Sequence, residues 1–123
     1  MSEPSDGTHR LVVDCQLRAA TDLLHHRWDV VVVAALGDEA LRRVHVKKSV
    51  GPIRDKSLND ALARLCSNGL VKHKPHRSIP GVFVYELTEL GRGLHDGPLR
   101  ALGMWAQEHG EELLAASNDS CAL

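Results

Sequence analysis

Apolar residues from Cys15 to Leu36 return at the spacing of a single helical face: Leu17, Ala20 and Leu24, then Trp28, Val32 and Ala35. His25-His26-Arg27 interrupts the stripe and predicts a break between two helices. Val30 to Val33 would also suit a strand, because β-branched side chains pack well on a pleated surface, but the stripe runs on through them and favours helix. Gly37-Asp38 reads as a turn. The ALRRVHVKKSV that follows reads as a helix, although Val44, Val46 and Val50 fit a short strand almost as well. Gly51-Pro52 makes a second turn. Beyond it Leu58, Ala61, Leu62 and Leu65 define one buried helical face, and Gly69 closes that helix.

After Gly69 the period changes. Leu70 to Lys74 alternates apolar and basic residues, and Phe83, Tyr85 and Leu87 share one face of a return strand. Between them Lys74-Pro75-His76-Arg77-Ser78 forms a basic tip. Thr88-Glu89 brings a capping hydroxyl and a first-turn acid to a last helix, in which Gly97-Pro98 predicts a kink. Leu102, Trp105, His109 and Leu113 then make a stripe on that helix. On so small a chain the stripe predicts packing against a second copy, with Leu17 from the amino-terminal helix in the same interface.

Turn, helix, glycine stop and short hairpin, in that order, are the parts of a winged helix-turn-helix. The predicted fold class is therefore mainly α with a small β-hairpin wing (α+β), flanked by N- and C-terminal dimerisation helices. Residues 10–116 form this domain, with flexible tails over 1–9 and 117–123. A chain of 123 residues, 43% of them hydrophobic, can bury a core but has no room for a second full domain. MSEPSDGTHR is polar and acidic, unlike a secretory signal, and the longest apolar run, Val30 to Leu36, is far shorter than the about 20 residues of a membrane helix. A cytoplasmic protein is expected.

Charge alters the picture more than composition does. The net charge is only −1, but residues 42–77 carry ten Lys or Arg against Asp55 and Asp60, a local balance of +8. Such sorting suits one face laid on a polyanion. With only Trp28, Phe83, Tyr85 and Trp105 as aromatics, stacking platforms for single strands are lacking, so duplex DNA is the expected partner. On the polar side of the helix after Gly51-Pro52, Lys56, Ser57, Asn59, Asp60 and Arg64 are the candidates for base edges or nearby phosphates. Lys47, Lys48 and Arg54 are placed to hold the backbone, and Lys72, Lys74, His76 and Arg77 to follow the adjacent groove. The alternative is a winged helix that binds an acidic protein partner instead of DNA.

Other chemistry is thinly represented. Cys15, Cys66 and Cys121 lie far apart with no CxxC spacing, which argues against a disulfide framework or zinc site. His73 and His76 have H-x-x-H spacing on a strand and loop with no further ligand cluster, so no metal or other cofactor is expected. No GxSxG, phosphate loop or apolar carboxylate pair suggests an enzyme. Cys15 stands near a helix start and is either a redox-active thiol or a structural one.

The chain resembles the HxlR-type winged helix-turn-helix regulators of bacteria from Cys15 to Trp105. Cys15 matches the cysteine that opens the family pattern, and Arg27-Trp28 keeps part of a glycine-lysine-tryptophan motif whose glycine positions hold His25 and His26. Gly51-Pro52-Ile53, Lys56, Leu58, Leu62, Leu65 and Asn68-Gly69-Leu70-Val71 fall at the family's turn, core and helix stop. Pro80, YELTELG and Trp105 match its wing return and last helix. Arg54 stands where the family has a capping serine, which could shift the helix start by one residue, and Arg43 stands where it has a phenylalanine. The resemblance implies a homodimeric DNA-binding transcriptional regulator, with an amino-terminal cysteine that in some relatives senses oxidants or electrophiles, or a small-molecule effector.

Overall fold

The computed structural model describes residues 15–121, with side chains through Ser117. Two short helices come first, α1 (Cys15–Asp22) and α2 (Arg27–Ala35), and the break between them falls at the two histidines. All four valines are helical; Val32 and Val33 are buried with Leu36, so packing of that face outweighs the modest helical cost of β-branched residues.

The next pair is α3 (Arg43–Val50) and α4 (Asp55–Ser67). The helix read into ALRRVHVKKSV starts later than its first residue. Leu41 instead pairs with Tyr85 of the hairpin, its N–H donating to the Tyr85 carbonyl at 3.0 Å while the Tyr85 N–H donates back at 2.7 Å. An otherwise open edge of the hairpin finds its partner there, and the wing is tied to the entrance of α3.

Arg54 is the N-cap of α4, without a side-chain cap bond, and Asp55 opens the helix, so the start does not shift. Leu58, Ala61, Leu62 and Leu65 are its buried residues, as their spacing predicts. The helix stops in a Schellman motif: Leu70 N–H donates to the Leu65 carbonyl at 3.0 Å and Gly69 N–H to that of Cys66 at 3.1 Å, with Gly69 at φ 77°.

Strands β1 (Val71–Pro75) and β2 (Phe83–Leu87) form an antiparallel hairpin with Val71 opposite Leu87 and His73 opposite Tyr85. Thr88 then caps α5 (Glu89–Leu94): its hydroxyl accepts from Gly91 N–H at 3.1 Å and donates to the Gly69 carbonyl at 2.6 Å, joining the end of α4 to the start of α5. At Gly91 the helix crosses the backbone so closely that a Cβ would stand 2.1 Å from the Leu70 carbonyl oxygen.

The predicted kink takes the form of a π-helical turn, His95–Leu99, with Pro98 inside it. Proline lacks the N–H that would continue the ladder, and the wider turn accommodates its ring. Helix α6 (Arg100–Cys121) follows and runs past the domain boundary placed at residue 116. The tail placed over 1–9 lies outside the described residues. One core gathers Val32, Val33 and Leu36 from α2, Val46 and Val50 from α3, the leucines of α4, and Leu70, Val71 and Leu87 from the hairpin. No helix among the described residues is long and apolar enough to cross a membrane.

Candidate nucleic-acid interface

Helices α3 and α4 meet through a polar network at the start of α4. Arg43 donates from Nε and Nη2 to Asn59 Oδ1, at 3.0 and 2.8 Å, and its Nη2 lies 3.5 Å from Asp55 Oδ1. Lys47 Nζ donates to the same Asp55 oxygen at 2.6 Å. That bond, with the charges of Lys47 and Arg43, holds the exposed Asp55 carboxyl below its ordinary range. Arg43 thus occupies its unexpected position by packing polar against α4. Outward on α4, Lys56 and Asp60 are exposed and pair one turn apart at 3.2 Å, while Ser57 is half-buried.

The geometry revises the reading of Arg64. Its guanidinium is turned to Asp29 of α2, with Nη2 2.8 Å from Oδ1 and Nε 3.0 Å from Oδ2. The Asp29 carboxylate keeps it more firmly protonated than usual, and Asp29 itself is 4% exposed. Arg64 belongs to the flank of α4 that faces the core helix, because it lies nearer the leucine face than Lys56 or Asp60 does.

On the wing, Lys74 and Lys72 both reach Glu86 across the hairpin, at 2.7 and 3.6 Å, and the Lys74 bond above all holds the Glu86 carboxyl below its ordinary range. The His73 ring stacks on Tyr85 with centroids 4.4 Å apart, and with Asn59, Leu62, Ala63 and Cys66 of α4 these two line a cleft of about 170 Å³ between α4 and the wing. Burial pushes the Tyr85 phenol and the Cys66 thiol up. His76 closes the tip: its Nδ1 accepts from the N–H groups of Ser78 and Ile79, at 3.0 and 3.1 Å. That bonding gives His76 a structural task in the wing and takes one ring nitrogen out of any contact with a ligand. No group of three metal-ligating side chains forms among the described residues.

Four cations in this region, Arg42, Lys48, Arg54 and Arg77, are exposed, and their side chains have no hydrogen bond or ion pair among the described residues, whereas Lys47, Lys56, Lys72 and Lys74 each have a carboxylate. Elsewhere, Cys15 is exposed at the first residue of α1, with Arg18 Nη2 3.8 Å from its sulfur. Leu102, Trp105 and Leu113 of α6 are about half exposed, His109 is half-buried beside Trp105, and Leu17 is exposed on α1, which buries no residue. Sequence reasoning missed Asp29 and the bonding of Arg43. For Asp29 the available signal was a lone acid at the head of four valines, a place where a carboxylate requires a partner.

The profile of the HxlR-like helix-turn-helix family matches residues 23–113. An uncharacterized HTH-type transcriptional regulator of Halalkalibacterium halodurans is 29% identical over 84 residues, covering 68% of this chain and 74% of that one. YtfH of Escherichia coli, likewise described as an uncharacterized HTH-type transcriptional regulator, is 25% identical over 108 residues, 88% of this chain and 85% of that one. Among solved structures, the reduced form of the transcriptional regulator YodB from B. subtilis superposes with a TM-score of 0.68 at 25% identity, covering 77% of this chain and 92% of that one. YodB has also been solved diamide-treated and quinone-bound, with TM-scores of 0.64 and 0.62 to this fold.

Proposed function

Because the chain belongs to the HxlR-like helix-turn-helix family of transcriptional regulators, we propose that it is a sequence-specific binder of double-stranded operator DNA that acts in the cytoplasm as a homodimer. Each copy lays α4 in a major groove, and the two grooves lie one helical turn, about 34 Å, apart. Lys56, Ser57, Asn59 and Asp60 face base edges. Lys47, Lys48 and Arg54 hold phosphates at the start of α4, and Lys72, Lys74, His76 and Arg77 follow the neighbouring backbone with the wing. The observation that carries this reading is the set of unpaired cations spread over successive parts of one motif: Arg42 and Lys48 at the two ends of α3, Arg54 at the cap of α4 and Arg77 at the wing tip. Exposed charges of one sign on one motif suit phosphate binding, and those without a carboxylate have none to give up. Dimerisation is assigned to the exposed stripe of α6 with Leu17 of α1.

Oxidant control is assigned to Cys15, whose exposure meets the access that thiol oxidation needs. The likeness to YodB, solved in reduced, diamide-treated and quinone-bound forms, supports that assignment. A gel-shift titration against the DNA upstream of the protein's own gene tests the reading. Retardation of that DNA ahead of an unrelated fragment of equal length is expected, with release by diamide in the parent and none in Cys15→Ser. Equal binding of both fragments contradicts sequence-specific recognition, and equal release in Cys15→Ser contradicts the role of that thiol.

A further inference from the structure

Asn59 lies on the exposed flank of α4 beside the wing, and its carbonyl oxygen is already engaged. Arg43 gives it two hydrogen bonds, from Nε at 3.0 Å and from Nη2 at 2.8 Å, while Nη2 is also 3.5 Å from both the backbone oxygen and Oδ1 of Asp55. A guanidinium has donors only, so the amide cannot be turned round: Oδ1 must face Arg43, and the amino group must face away. An unrestrained asparagine reads adenine by donating to N7 and accepting from the N6 amino group. With Oδ1 taken by two donors, Asn59 keeps only the first half of that pairing.

What Asn59 still offers a base is donors only, the two N–H bonds of Nδ2, because Arg43 holds Oδ1. Guanine shows two acceptors, N7 and O6, on its major-groove edge. Adenine puts an amino donor where guanine has O6, and that donor would meet no acceptor here. We propose that the Arg43–Asn59 pair selects guanine in the operator, Asn59 making the contact and Arg43 positioning it, where an unclamped asparagine would select adenine. The proposal rests on α4 entering the major groove and adds the base it reads there.

Selection from a pool of randomised duplexes by the purified protein, by Arg43→Met and by Asn59→Ala tests it. For the parent, one position in each half-site is expected to favour guanine over adenine by about tenfold, the discrimination typical of a good base contact. Arg43→Met releases Oδ1 and moves the preference at that position to adenine, with the other positions unchanged. Asn59→Ala keeps an exposed helical position helical and flattens that position alone. Adenine at the Asn59-sensitive position in the parent, or guanine retained in a folded Arg43→Met, overturns the proposal. If Arg43→Met fails to fold, the base selected by the parent at the position that Asn59→Ala flattens decides it. An enriched motif with no position sensitive to Asn59 refutes this proposal alone, whereas a parent that enriches no sequence refutes the operator reading together with it.

Discussion

Arg64 of α4 grips Asp29 of α2 at N–O distances of 2.8, 3.0 and 3.3 Å, across 35 positions of sequence. The carboxylate is almost wholly buried at the head of the valine-rich helix, while the guanidinium reaches it from the flank of α4 and stays about one-third exposed. Helix α4 is thereby oriented by an ion pair as well as by its leucines, and the Arg64 guanidinium is engaged within the fold.

Removing one partner leaves a charge without compensation. Arg64→Met is expected to lower stability by about 2 kcal/mol, between the values for exposed and buried pairs because the guanidinium remains partly solvated. The double variant Asp29→Leu with Arg64→Met should recover most of that loss. Urea unfolding followed by circular dichroism measures both, and an unchanged midpoint for Arg64→Met contradicts the orienting role.

Two glycines are expected to respond differently to alanine. At Gly91 the new methyl would meet the Leu70 backbone carbonyl, which cannot move without shifting β1, while at Gly37 it would meet the imidazole of His95, a side chain that can swing aside. Gly91→Ala should cost about 3 kcal/mol, at the upper end for overpacking, and Gly37→Ala clearly less. Thermal unfolding of the two variants gives the order, and the reverse order would show that α5 does not press on the start of the hairpin.

Glu86 provides a test by pH. Its carboxyl is held below the ordinary value of 4.5, first by its bond to Lys74. A carboxyl whose folded pKa lies below its unfolded value stabilises fully at pH above the unfolded value, and the contribution disappears as pH falls through the folded one. Carbon NMR should place the titration of Glu86 below 4.5 in the parent and move it upward in Lys74→Ala. Glu86→Gln should also make the acid limb of the stability profile shallower. An unmoved titration in Lys74→Ala contradicts the wing pairing.

The stripe on α6 predicts an assembly. Trp105 is 48% exposed and Leu102 and Leu113 are each 50% exposed, more apolar surface than a free helix ordinarily leaves in water. Sedimentation should give about twice the chain mass of 13.5 kDa for the parent. Trp105→Ala should shift the equilibrium toward the monomer with α4 intact, and a parent that sediments as a monomer at micromolar concentration contradicts the assignment.

Much of this fold was legible because its elements announce themselves locally. The leucine period of α4, the glycine that stops it and the threonine that opens α5 each act within a few residues, and each stands where the pattern predicts, whereas β1 buries Val71 alone and shows no alternation. The features that escaped are long-range. Nothing near Arg64 in the sequence indicates Asp29, nothing near Leu41 indicates its bridge to Tyr85, and the polar side of α4 does not distinguish residues that face outward from those on its flanks. For the interface the same limit holds: the cluster of positive charge was visible, but which lysines are held by Asp55, Asp60 and Glu86, and which cations stand free, depends on contacts between elements.

DNA binding as proposed requires cations of α3, α4 and the wing to lie together along duplex phosphates. Fluorescence anisotropy of the operator fragment, titrated with protein at several salt concentrations, measures this directly. If about six phosphates are neutralised per dimer, the logarithm of the binding constant should fall with the logarithm of salt at a slope near −5. Arg54→Ala should make that slope shallower by about one for each phosphate left without its cation. A slope near zero, with binding indifferent to salt and to Arg54, would contradict the account.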